Sequence, residues 1–391
     1  MAELRDFSLD ELKQAVTAAE EQGQEVSSLT TEANLLDKFS EGIESAGLVQ
    51  EADNSKIILL CALSARLDSP VSLTVQGNSS SGKNYIMESV TRFLPKEFFI
   101  LKTGMSSKAL MHLGSDEVKH KALFIAEYEG VKDADFSIRT LQSEGRIEWT
   151  FVDTTKSGLK AVTKITEGPV AFIQATTRNI LHEENETRQL FIRADESPEQ
   201  TKIIIRRQAI NYMNGVKPGS EYYESVFKPW RVFFGNLKPM PIKIPFAQDI
   251  GADFAIDRLR SRRDFPKLME MIKVSAFLHQ NLREQKDGFL IVSNDDLNMV
   301  KPLFDYCMSQ IPEQKIFILI NAVKKIELED GYKVSDLLEE MKMGRTSATE
   351  INRRAEEKGY VSEVEGRRGY YKLMSICRTT YKDLLIQSEQ I

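Results

Sequence analysis

At 391 residues, with 28 % charged and 41 % hydrophobic residues, the chain is long enough for two or three domains around a sizeable core. A net charge of −6 excludes a uniformly basic nucleic-acid binder, so any such contact has to be local. Cys61, Cys307 and Cys377 lack metal-ligand spacing, and His112, His120, His182 and His279 form no metal-type cluster. No signal peptide or apolar run of membrane length is present, and the expectation is a cytoplasmic protein with no membrane partner.

The first fifty residues read as a polar helical arm. Ser8-Leu-Asp-Glu11 is a capping box, with Leu9, Leu12, Val16 and Ala19 at helical spacing. Residues 22–34 read as a linker and Leu35 to Ile43 as a second short helix, docking on the core or a neighbouring subunit, or recruiting a partner. Lys56 to Leu67 is an apolar helix leading into the most informative stretch, residues 71–84. There Val71, Leu73 and Val75 make a short strand. Gly77-Asn78-Ser79-Ser80-Ser81-Gly82-Lys83 then carries the G-x-x-x-x-G-K spacing, and Tyr85 to Leu94 reads as a helix stopped by Pro95.

The backbone N–H groups of such a loop surround a β-phosphate, the helix N-terminus adds a favourable dipole, and Lys83 reaches the β/γ oxygens. A Gly/Ser turn that merely holds a lysine has no need of the strand before it or the amphipathic helix after it. ATP with Mg²⁺ is the expected ligand. At the next position Asn84 replaces the Ser or Thr whose hydroxyl ordinarily ligates Mg²⁺, so binding is better supported than fast hydrolysis.

Further strands are predicted at Phe98–Leu101, Ala122–Ala126 and Val170–Ala175, separated by helical stretches, which gives a parallel α/β sheet. Glu127 follows the second of these and is the candidate to polarise an attacking water, shared with Asn84 as a metal ligand; the alternative is a solvated loop carboxylate. From about 200 to 310 the pattern is mainly helical, with residues 217–246 unassigned. Beyond that, Gln314 to Glu327 and Ser335 to Met341 suit helices. Ser347-Ala-Thr-Glu350 is a capping box opening a third, and YVSEVE and YYKLM flank a basic hairpin tip. This grammar is that of a winged helix-turn-helix. Ile351 and Ala355 are expected in its core, with Arg345, Asn352, Arg353, Arg367 and Arg368 available to DNA. With nine Lys/Arg against eight Asp/Glu over 332–372, packing or protein contact is the competing use.

A phosphate loop, a strand ending in acids, a hairpin before the next strand and a later arginine resemble the AAA+ ATPases. More specifically they resemble the minichromosome-maintenance-like clade in its phage and mobile-element version, over about residues 35–375. That clade's second motif reads apolar-apolar-Asp-Glu-aromatic-Asp. Matching it to Phe124-Ile-Ala-Glu-Tyr-Glu129 puts Glu127 on the catalytic glutamate and Ala126 where a metal-associated aspartate is usual. The resemblance implies that RIEWTFVD (146–153) and LKAVTKITEG (159–168) form a pre-sensor hairpin in a ring channel, with Lys156 and Lys160 on DNA. It also implies that Thr177 is the sensor, Arg188 the arginine finger reaching a neighbour's γ-phosphate, and Arg262 or Arg263 (Arg263 is taken) the sensor of a helical lid.

The expected organisation is therefore an N-terminal arm (1–50), an α/β P-loop NTPase core of AAA+ type (51–200), a helical lid (201–311), a winged helix (312–376) and a tail (377–391). The expected function is a ring-forming ATP-dependent DNA helicase, hexameric in the family's manner, acting on single-stranded DNA in replication, with an initiator or primase in trans. Two alternatives stay open: an ATP-switched DNA-binding or helicase-loading factor with weak hydrolysis, and a protein remodeller.

Overall fold

The most apolar short runs of the chain come together as one sheet in the computed structural model. It describes residues 23–106, 109–128, 134–155, 158–177, 186–215, 223–254, 260–326, 331–357, 360–364 and 366–373. The first seven strands in chain order are β1 (Ser72–Gln76), β2 (Phe99–Lys102), β3 (Lys121–Ile125), β4 (Arg146–Thr155), β5 (Gly158–Glu167), β6 (Val170–Thr176) and β7 (Gln189–Arg193). Five of them form a sheet in the order β2-β3-β6-β1-β7, every neighbouring pair parallel. β1 and β6 are buried over their whole length, as strands covered on both faces must be. Their polar members pair among themselves: Gln174 Nε2 donates to Thr74 Oγ1 (3.2 Å) and to Gln189 Oε1 (3.0 Å).

β7 is an addition to the strands read from the sequence. Three apolar residues between polar ones carry little local signal. The strand exists because Leu190 and Ile192 pair with Leu73 and Val75 of β1. β4 and β5 form the expected antiparallel ribbon, in register from Arg146↔Glu167 to Thr155↔Gly158. Ile147 and Thr166 bury its base, while Trp149, Val152 and Ile165 are exposed further out.

The longer helices over this part of the chain are α1 (Leu35–Ser45), α2 (Ala52–Ser64), α3 (Lys83–Thr91), α4 (Asp135–Glu144), α5 (Pro198–Asn214), α6 (Glu224–Asn236), α7 (Ser261–Leu278) and α8 (Asn294–Ser309). α2 packs on β1, β3 and β6 and against α7. The expected linker at 22–34 is helical over 23–30, with Leu29 buried. Its hydroxyls bond back along the chain, Ser28 Oγ to Glu25 O and Thr30 Oγ1 to Val26 O, so the Ser/Thr run does not break it. The capping box at Ser8 lies outside the described residues. The unassigned stretch 217–246 contains α6, whose Phe227 and Trp230 pack edge-on against Phe93 and Phe39 at 5.0 and 5.6 Å. Four buried aromatics (Phe227, Trp230, Phe233 and Phe234) at about 1.5–3 kcal/mol each outweigh the roughly 3 kcal/mol cost of Pro229 inside this helix.

Among the described residues the chain divides into two compact units, 23–305 and 306–373. The second holds α9 (Pro312–Ile326), a short helical segment from Val334 to Met341, α10 (Arg345–Glu357), and the antiparallel pair β8 (Val361–Glu363) and β9 (Tyr371–Leu373). Its core contains Leu319, Tyr332, Leu337, Met341, Ile351 and Ala355. α10 begins at Arg345, and Ala348 N donates to Gly344 O (3.1 Å). Ser347 therefore lies in the first turn instead of capping it. No helix among the described residues is long and apolar enough to cross a membrane.

Candidate functional site

β1 delivers the chain to the phosphate loop and α3 carries it away. The reversal between them needs left-handed backbone at Ser80 (φ 68°) and Gly82 (φ 84°), the second an open position suited to glycine. At Gly77 the constraint is steric: a Cβ would run into Ser81 Oγ and approach Glu196 Oε1 to 3.1 Å. Lys83, the first residue of α3, folds back across the loop. Its Nζ donates to Gly77 O (2.9 Å), Asn78 O (2.5 Å) and Ser81 Oγ (3.4 Å). Burial pushes the Lys83 pKa down, and the negative charges of Glu196 and Glu127 oppose that push.

The sheet brings the other expected partners to the same edge. Gly77 N donates to Thr176 O (3.3 Å), so the end of β6 abuts the loop, and Thr177 stands exposed immediately beyond it. β3 runs beside β6, pairing Ile125 with Gln174, and exposed Glu127 follows two residues later. Tyr128 is buried, its hydroxyl donating to Asp135 Oδ2 (2.5 Å), which anchors the chain just after Glu127. The carboxyl ends of parallel strands are where open α/β sheets place ligands.

A cavity of about 730 Å³ opens beside the loop. Gly47, Leu48 and Val49 form one wall, Tyr85 and Ile86 another, and α5 a third through Gln200, Ile204 and Gln208. One buried carboxylate ties these walls together. Glu51 accepts from Asp195 N (2.9 Å), Asn54 Nδ2 (2.5 Å) and Gln200 Nε2 (3.1 Å), and Gln200 Nε2 also donates to Val49 O (2.9 Å). Burial pushes the Glu51 carboxyl upward, against the lowering effect of these donors.

Glu51, Asp195, Glu196 and Gln200 were not legible as site residues. The one available signal was Ser197-Pro198, a helix start: Ser197 Oγ accepts from Gln200 N (3.1 Å) with proline at N1. With β7 unrecognised, that start could not be placed at the mouth of the loop. Glu196 makes the closest approach of the four. Its Oε1 accepts from Asn78 N (2.5 Å) and its Oε2 from Asn78 Nδ2 (2.6 Å).

Arg188 directly follows Thr187, the partner of Arg263, and among the described residues neither arginine lines the cavity. Arg188 Nε donates to Ser143 Oγ of α4 (2.9 Å). Arg263 bonds Thr187 Oγ1, and buried Lys267 donates to Thr187 O (2.8 Å). Arg262 is exposed. Lys156 lies outside the described residues, and Lys160 stands opposite Asp153 in the ribbon.

In the second unit Arg345, Arg367 and Arg368 are exposed, the guanidinium of Arg367 5.6 Å from the centre of the Tyr370 ring. Asn352 corrects the sequence reading: it is 1 % exposed and its Oδ1 accepts from Tyr332 Oη (2.6 Å), so it packs the core and faces no groove. The helical periodicity that buries Ile351 and Ala355 carries Asn352 inward with them. Arg353 is exposed, but Glu350 (2.6 Å) and Glu357 hold its guanidinium.

Two hard oxygen donors near Lys83, the Asn84 amide and the Glu127 carboxylate, fit Mg²⁺, which binds through few protein groups plus substrate phosphates and water. Among the described residues no cluster of three or more His, Cys, Asp or Glu offers a cage for any other metal. No curated protein matches the chain. Residues 23–234, which hold the loop, the five-stranded sheet and the cavity, match the MTBMA_p00010 P-loop domain. That span is more than half of the sequence, and the chain belongs to the MTBMA_p00010 P-loop domain family.

Proposed function

We propose that the protein is a ring-forming ATPase of AAA+ type, related to the minichromosome-maintenance-like helicases, that moves along single-stranded DNA. The observation that carries this reading is the placement of the β4–β5 ribbon. In chain order it is inserted between β3, which is followed two residues on by Glu127, and β6, whose end bonds the phosphate loop through Thr176 O. A change at the nucleotide is thereby linked to the ribbon at its root. MgATP would bind at Gly77–Asn84, with Asn84 and Glu127 at the metal. Mg²⁺ held there would neutralise charge on the phosphoryl group. Glu127 would orient water, and Thr177 would position it.

Arg188, bonded to Ser143, and Arg263, bonded to Thr187, are absent from the cavity lining among the described residues, which supports their service to a neighbouring copy, most simply in a hexamer. An arginine from the neighbour neutralises charge as the phosphoryl group transfers. On this reading the ribbon, with Lys156 and Lys160, and the basic hairpin at Arg367 and Arg368 meet DNA phosphates, the protein works in the cytoplasm on replicating phage or mobile-element DNA, and priming falls to another chain. Steady-state ATPase with and without single-stranded DNA tests it: stimulation by DNA is expected, and a DNA-insensitive rate near background contradicts it. Asn84 and Ala126, both neutral where metal-managing groups are usual, favour a second reading, an ATP-switched loading factor with slow turnover. That factor assembles on ATP and shows the unstimulated rate.

A further inference from the structure

Glu196 has no role in the chemistry assigned above, yet it is the carboxylate bonded directly to the phosphate loop. Its backbone is fixed from both sides. Asp195 N is held by Glu51 (2.9 Å), Asp195 Oδ1 accepts from Ser197 N (2.8 Å), and Ser197 caps α5. The side chain spans from that mount to Asn78, accepting from both its backbone N–H and its amide.

Resting on the phosphate-loop reading, we propose that Glu196 makes nucleotide binding conditional on a divalent cation, by discriminating metal-complexed from metal-free triphosphate. Three observations carry this. First, Glu196 occupies an N–H of the phosphate loop, so an incoming triphosphate meets a negative charge where such loops ordinarily offer a donor. Second, Glu196 and Glu127 both act on the Lys83 ammonium, which puts the β/γ-phosphate position within Coulomb range of two carboxylates. Third, Asn84 after the phosphate loop and Ala126 after β3, the positions that the resemblance assigns to the metal, carry no charge. A fixed carboxylate repels a ligand in proportion to the ligand's net charge, and a bound Mg²⁺ removes two negative charges from a triphosphate. Repulsion thus falls mainly on the metal-free form.

The test is equilibrium binding of a fluorescent ATP analogue to the full chain, in excess Mg²⁺ and in excess EDTA, for wild type, Glu196→Gln and Glu196→Ala. Both variants are expected to bind the metal-free nucleotide about tenfold more tightly than wild type, with affinity for the Mg²⁺ complex within about threefold. An equal loss of both affinities makes Glu196 a mere clasp of the loop and overturns the proposal, as does an unchanged ratio. Wild type that binds nucleotide in neither condition removes the phosphate-loop reading itself, and a wild-type signal with an unchanged ratio in the variants removes only the role of Glu196.

Discussion

Replacing Lys83 by alanine removes the group on which the phosphate site turns. The residue is 9 % exposed, its ammonium bonded to Gly77 O and Asn78 O and placed to turn toward a triphosphate. Two charge-assisted bonds to phosphate oxygens, at about 1.5–3 kcal/mol each, amount to roughly 3–6 kcal/mol. That corresponds to a loss on the order of 10²–10⁴-fold in affinity. Thermal unfolding with and without MgATP reads the effect without requiring turnover. Ligand that binds only the folded state raises the midpoint of wild type, and the Lys83→Ala midpoint should stay where it is at the same nucleotide concentration. Calorimetric titration supplies the affinity directly. A variant that binds within about threefold of wild type would mean that the phosphates sit elsewhere.

Other outcomes follow from buried polar groups. Asn352→Ala should lower the stability of the second unit by about 1–3 kcal/mol by leaving the Tyr332 hydroxyl without its acceptor, seen as an earlier denaturant midpoint; unchanged stability with weakened DNA binding would restore Asn352 to a groove. Burial pushes Lys267 down to about 8, while Asp264 attracts its charge and Arg260 and Arg263 repel it; the Cys61 thiol also feels it. The same group sits near 10.4 in an unfolded chain, so between about pH 8 and 10 the unfolded state holds more protons there and stability gains with rising pH. The difference in unfolding free energy between wild type and Lys267→Met should therefore shift in favour of wild type across that window, and parallel pH curves would contradict it.

The phosphate loop was legible because its signals are local: glycine spacing, an apolar strand before it and a helix after it. The ribbon was expected from the family resemblance, and its pairing is local in the chain, Arg146 to Thr155 against Gly158 to Glu167. What escaped is non-local. β7 is a strand because β1 pairs with it, and Glu196 reaches Asn78 across 118 residues of sequence. The Glu51 network joins three segments that no motif connects. α6 was hidden by Pro229, a local breaker overruled by aromatic burial against Phe39 and Phe93. Asn352 shows the converse error: a polar residue beside apolar ones was read as outward-facing, although its hydrogen bond to Tyr332 lets it be buried.

Shared catalysis between copies is the claim on which the motor account rests, and mixing two inactive variants tests it. Arg188→Ala keeps its own loop and Glu127, and Glu127→Gln keeps its Arg188. Each should bind MgATP with near wild-type affinity and hydrolyse almost none alone. Mixed in equal amounts, they should regain a substantial part of the wild-type rate, because some interfaces then pair an intact Glu127 with an intact Arg188. An Arg188→Ala protein that hydrolyses ATP at the wild-type rate by itself, or a mixture as inactive as its parts, would show that the site is not shared.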